Sequence, residues 1–151
     1  MSLLNLIPKS DLADAPLIKI AKVIDWQYID DELEPLRQLD ARRGGPTPWP
    51  PEKMFRASLL QDWYRLSFKQ LTWAIAVRLD FQVFTGFEPG LPKPSITSLY
   101  RARRASEGGG VRARAVEEIE FQLRCAGISI INTRGALYDI KLIYQPTKKE
   151  E

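Results

Sequence analysis

Apolar residues recur at helical spacing through most of this chain, and the gaps between the runs hold residues that start or stop helices. After Asp25, a candidate N-cap, Trp26, Ile29, Leu33 and Leu36 mark a helix of two to three turns. Pro35 removes a backbone donor and is expected to break or kink it. Behind Pro51, placed for a first helical turn, Phe55, Leu59, Trp63 and Leu66 form an amphipathic stripe. Ser67 then opens a new helix. Its hydroxyl can cap the amide of Gln70 while the Gln70 side chain reaches back, and Leu66 and Leu71 stand where a hydrophobic staple needs them. Leu71, Ala74, Ile75 and Leu79 form that helix's buried stripe, and Asp80 is placed to cap a short turn carrying Phe81 and Phe84 before Gly86. Two helices with almost no linker must fold back on each other, as in a helix-turn-helix unit.

The stretch from Arg42 to Pro51, with two glycines and four prolines, reads as a linker or extended arm, and Gly86 to Pro94 as a second irregular segment. Ser95 caps a helix running towards Ser106, which Gly108, Gly109 and Gly110 stop; Val116, Ile119, Leu123 and Ala126 mark one more, ended by Gly127. The period then changes. Ile128 to Ile131 and Ala136 to Tyr144 are rich in β-branched and aromatic residues around a turn at Asn132 to Gly135, which predicts a β-hairpin. The fold class expected is mainly α: a helix-turn-helix-like bundle followed by a short C-terminal β-hairpin. The boundaries are an N-terminal arm at 1–24 with one short helix, a helical domain at 25–127, the hairpin at 128–145 and a disordered tail at 146–151.

At 151 residues and 44% apolar content the chain can bury one core, and its apolar runs fall short of the ~20 residues of a membrane-spanning helix. Met1 to Pro8 has no basic leader or cleavage site, so a cytoplasmic protein without a membrane partner is expected. A single Cys125 and no histidine exclude a disulfide framework, a zinc site of the usual ligands and Ser-His or Cys-His catalysis. Charge changes the picture more. Residues 1–40 hold 4 basic and 8 acidic side chains, residues 41–114 hold 13 and 5, and residues 115–151 hold 5 and 6. The positive surplus therefore sits in the middle of the chain, as expected of a module that meets a polyanion.

Four motifs in order carry a resemblance. Pro50, Pro51, Met54, Arg56, Leu59, Leu60 and Gln61 are followed by Tyr64 to Leu71, by Arg78 to Phe81 with Phe84 to Phe87, and by Pro94 to Arg103. Together they resemble the N-terminal helical domain of InsH-like bacterial insertion-sequence transposases, over about Trp26 to Ile143. That family's catalytic core is of the RNase H type with three acids. Gly135 to Ile143 is similar to its first strand, which would make Asp139 the first catalytic aspartate and the hairpin the start of that core. In the intact family Mg²⁺ clamped by such acids activates the nucleophile. Only 12 residues follow Asp139, so the expectation is a chain truncated after its first acid, not an enzyme, with Asp139 inactive and no metal or cofactor held. Ser95, Phe68 and Ile140-Lys141 depart from the family pattern.

The resemblance implies DNA as partner, ancestrally the ends of the element. Arg101, Arg103 and Arg104 on one helix, Arg42 and Arg43 before it, and Arg112 and Arg114 after the glycines are the candidate DNA-binding residues, since guanidinium groups suit phosphates and base edges. Arg56, Arg65, Lys69 and Arg78 are weaker candidates. Trp49, Trp63 and Trp73 can stack on bases, but their helical or proline-flanked positions favour the core. The alternative is a helical protein-interaction or dimerisation module, paired with a second copy or with a full-length transposase.

Overall fold

A computed structural model describes residues 15–43, 48–132 and 140–144. Its helices are α1 (Pro16–Val23), α2 (Trp26–Glu32), α3 (Glu34–Arg43), α4 (Pro51–Tyr64), α5 (Phe68–Val77), α6 (Leu79–Thr85), α7 (Ile96–Glu107) and α8 (Val111–Cys125). Strands β1 (Ile128–Asn132) and β2 (Ile140–Tyr144) pair antiparallel, with Ile128 opposite Tyr144 and Asn132 opposite Ile140. The fold is mainly α, as the periodicity predicts. Asp139 and the hairpin turn at 133–135 lie outside the described residues.

The centre of the bundle is α4. Met54, Phe55, Ala57, Leu59, Leu60 and Tyr64 are all buried, so this helix is covered on most sides rather than on one stripe. It packs against α5, α6, α7 and β1. Its exit explains the missing linker. Arg65 adopts the left-handed conformation at φ 53°, a conformation that disfavours side chains by roughly 1–2 kcal/mol. In return the amides of Arg65 and Leu66 satisfy the carbonyls of Asp62 and Gln61 in a Schellman closure, and buried Leu66 seals the corner. Two residues later the Ser67 capping box is complete. Ser67 Oγ accepts from the Gln70 amide at 3.1 Å and Gln70 Oε1 from the Ser67 amide at 2.9 Å.

Other boundaries differ from the expectation for identifiable reasons. The helix opened by Asp25, whose carboxylate accepts from the Tyr28 amide, breaks at Leu33, and Pro35 falls inside the first turn of α3, where its missing donor costs little. Arg42 and Arg43 end α3 instead of lying in an arm, and a basic last turn complements the helix dipole. Asp80 lies within α6, not before it. It bonds the Phe81 amide at 3.0 Å and takes a forked contact from Arg78, while Arg78 holds the N-cap position. Gly86 at φ 89° ends α6 as expected. The segment read as an N-terminal arm contains the expected short helix, but α1 is docked: Leu17 and Ile20 are buried, with Ile24 just beyond its end. Pro16 at its first turn starts that helix rather than interrupting one.

Phe84 shows how tightly the core is keyed. Trp26 and Trp63 meet its ring edge-on at 5.5 and 5.6 Å, so α2, α4 and α6 converge on one side chain. Trp49 packs edge-on to buried Phe87 at 5.5 Å. Trp73, expected in the core, is half exposed on α5, because Leu71, Ala74 and Ile75 define that helix's inner face.

Candidate nucleic-acid interface

The arginines fall into two populations. Arg103 and Arg112 face inwards onto α4. Arg103 Nη1 lies 2.9 Å from Asp62 Oδ1 and 2.7 Å from Gln61 Oε1, and its Nε pairs with Glu107. Arg112 Nη2 pairs with Asp62 Oδ2, and its Nε donates to Ser58 Oγ at 3.1 Å. One carboxylate thus holds α7 and α8 against α4, each of its oxygens taking one charge-assisted contact. Replacing Asp62 with alanine is expected to lower the unfolding free energy by about 1–2 kcal/mol in a urea titration, since two partly buried guanidinium groups lose their shared charged acceptor and keep only their other partners. An unchanged midpoint would show that the clamp contributes nothing.

Arg42, Arg43, Arg101, Arg104 and Arg114 are exposed, and among the described residues they make no ion pair. Thr97, Arg101 and Arg104 follow i, i+4, i+7 spacing on α7 and are all exposed, which gives that helix one basic outer stripe. Arg104 lies 5.9 Å from the Tyr100 ring. Arg114 turns back to donate to the Gly109 carbonyl at 2.9 Å, where Gly109 and Gly110 take positive φ between α7 and α8. The stripe on α7 and the end of α3 meet at a cleft. A cavity of about 210 Å³ lies between α3, the start of α4 and α7, lined by Leu36, Leu39, Pro48, Trp49, Met54 and Phe55, with Asp40, Arg43 and Arg101 among its polar groups.

The secondary candidates separate in the same way. Arg78 sits over the rings of Phe81 and Tyr64, at 4.4 and 5.1 Å, and its fork takes Asp80. Burial pushes the Tyr64 hydroxyl up to about 12, against the opposing charge of Arg78, so it stays protonated. Arg56 covers the Trp26 ring at 4.1 Å and faces Asp30. Arg65 and Lys69 are exposed. The sorting of Arg103 and Arg112 depends on Asp62, which no local sequence pattern links to them.

The domain is mainly helical, and among the described residues no helix is long and apolar enough to cross a membrane. The family described as "Transposase domain (DUF772)" matches residues 2–105, and the chain belongs to this transposase-domain family. No solved structure matches it.

Proposed function

We propose that the helical domain binds DNA through the exposed guanidinium groups of Arg42, Arg43, Arg101, Arg104 and Arg114, and that it grips DNA without cutting it. The supporting observation is that two separate elements, the last turn of α3 and the outer stripe of α7, bring acid-free arginines to one cleft. Such groups suit phosphate oxygens, which position a duplex, and base edges, which specify it. In this reading Arg103 and Arg112 position α7 and α8 through Asp62, and the ancestral target is the end of an InsH-like element, with Asp139 as the vestige of the first catalytic acid.

Fluorescence anisotropy with a labelled duplex at two salt concentrations tests this. Binding is expected to weaken steeply with salt, each phosphate contact adding about 0.9 to the slope of log K against log[salt], so the Arg101→Ala/Arg104→Ala variant should lose about 2 from it. Absence of binding at low salt would overturn the assignment. Mg²⁺-dependent strand cleavage that disappears in Asp139→Asn would overturn the non-cutting part.

One observation favours the alternative of a protein-interaction module. Trp73 and Val77 stand one turn apart on α5, and both are at least half exposed. A stable dimer in light scattering that Trp73→Ser/Val77→Ser abolishes, in a protein that ignores DNA, would support it.

A further inference from the structure

The cleft beside α7 is more than a charged surface. Its volume, about 210 Å³, falls below the ~300–1,000 Å³ typical of drug-sized ligand sites, which matches one planar ring system better than a helix or an extended peptide. Its wall is apolar and aromatic, with Trp49 held edge-on by Phe87 and Leu39 left 46% exposed. Arg43 and Arg101 also line it, both exposed and without an ion pair among the described residues. Among the described residues Asp40 is its only acidic lining residue. Arg103 lines it too, but is committed to Asp62 and Glu107. An apolar slot with two unpaired cations and one carboxylate is complementary to a nucleotide: a base between hydrophobic walls, an anionic phosphate against guanidinium groups, and a hydrogen-bond acceptor for a base N–H.

We infer that this cavity receives a single unpaired nucleotide of bound DNA, its base against Trp49 and Leu39 and its phosphate between Arg43 and Arg101. The inference rests on the DNA-binding reading above and deepens it. A base buried in this way has left its stack, and the cost is least where the nucleotide is already unpaired. The domain therefore distinguishes a frayed or overhanging end from a continuous duplex. Asp40 accepts from an amino-bearing base edge, as acidic side chains do from cytosine N4.

The test uses the full chain and two short duplexes of one sequence, one blunt and one ending in a single unpaired 2-aminopurine. The overhang duplex is expected to bind roughly 5- to 150-fold more tightly, the range that one base on an aromatic platform supplies. Trp49→Leu should remove that preference while leaving blunt-duplex affinity in place. Leu39→Glu places a charge at an already exposed position and should also remove it, without dependence on core packing. Equal affinity for the two duplexes, with salt-sensitive binding of the blunt one, would overturn the nucleotide slot and leave the DNA-binding reading standing. Retention of the preference in both variants would also overturn it. Failure to bind either duplex would remove both.

Discussion

Phe84→Ala is expected to cost about 3–5 kcal/mol of unfolding free energy, the range for deleting a fully buried aromatic ring. Phe84 is 1% exposed, and its replacement leaves Trp26 and Trp63 facing a void from two directions. The two tryptophans come from α2 and α4 while Phe84 comes from α6, so the cavity cannot close by moving one helix. For a domain of this size such a loss is a large part of the ~5–15 kcal/mol that separates native from unfolded chain. Urea unfolding followed by tryptophan fluorescence should show a lower midpoint and an altered native emission. Phe84→Leu, which keeps most of the volume, should recover most of the stability. A Phe84→Ala protein as stable as the parent would mean that the convergence of α2, α4 and α6 on this ring is not what holds them together.

The same residues show which parts of this fold can be read from the chain. Caps and stops are written in adjacent positions. Ser67 with Gln70, Ser95 with Ser98 and Gly86 at a helix end each act within a few residues, and each does what its spacing predicts. The apolar period likewise places α4, α8 and the inner face of α5 at Leu71, Ala74 and Ile75, although Leu79, read on that same stripe, begins α6 and is only partly buried. What the period cannot carry is a helix's neighbours. The docking of α1 depends on Leu17 and Ile20 finding α6 and α8, far along the chain, so a short run behind a proline gives no sign of burial. Trp73 was legible as apolar and helical, yet exposure depends on which face α5 turns to α4, and smaller residues won that face.

The candidate interface divides along the same line. That residues 41–114 hold the basic surplus needs only counting, and the candidate arginines follow from that surplus together with the family resemblance. Which of them face solvent is decided by Asp62, 41 residues before Arg103 and 50 before Arg112 in sequence. The cleft at Trp49 exists only where α3, the start of α4 and α7 come to line one cavity, and no motif encodes it.

Breaking the Arg56–Asp30 contact should show that a charge pair can be costly to break and yet contribute little as a pair. Arg56 Nη2 lies 3.7 Å from Asp30 Oδ2, while Arg56 Nε and Asp30 Oδ1 are buried without a hydrogen-bond partner among the described residues. Burial raises the Asp30 carboxyl above its usual range against the attraction of Arg56, and burial lowers the Arg56 guanidinium against the attraction of Asp30. In both groups desolvation outweighs the partner. Arg56→Met should therefore cost about 2–3 kcal/mol, below the range for a fully buried pair because both side chains retain some solvent contact, and part of the loss is the cation over the Trp26 ring. Asp30→Asn combined with Arg56→Met should recover a large part of that loss, since the stranded carboxylate is then gone. The pH dependence fixes the sign. A carboxyl raised in the folded state binds its proton more readily there than in the unfolded chain, so its contribution is fully present below the ordinary carboxylate pKa and is lost as pH rises through the raised value. Stability compared from pH 3 upwards should therefore fall more across the acid range in the parent than in Asp30→Asn. Parallel curves for the two proteins, or a double variant no better than Arg56→Met, would show instead that the pair is net favourable in its place between α2 and α4.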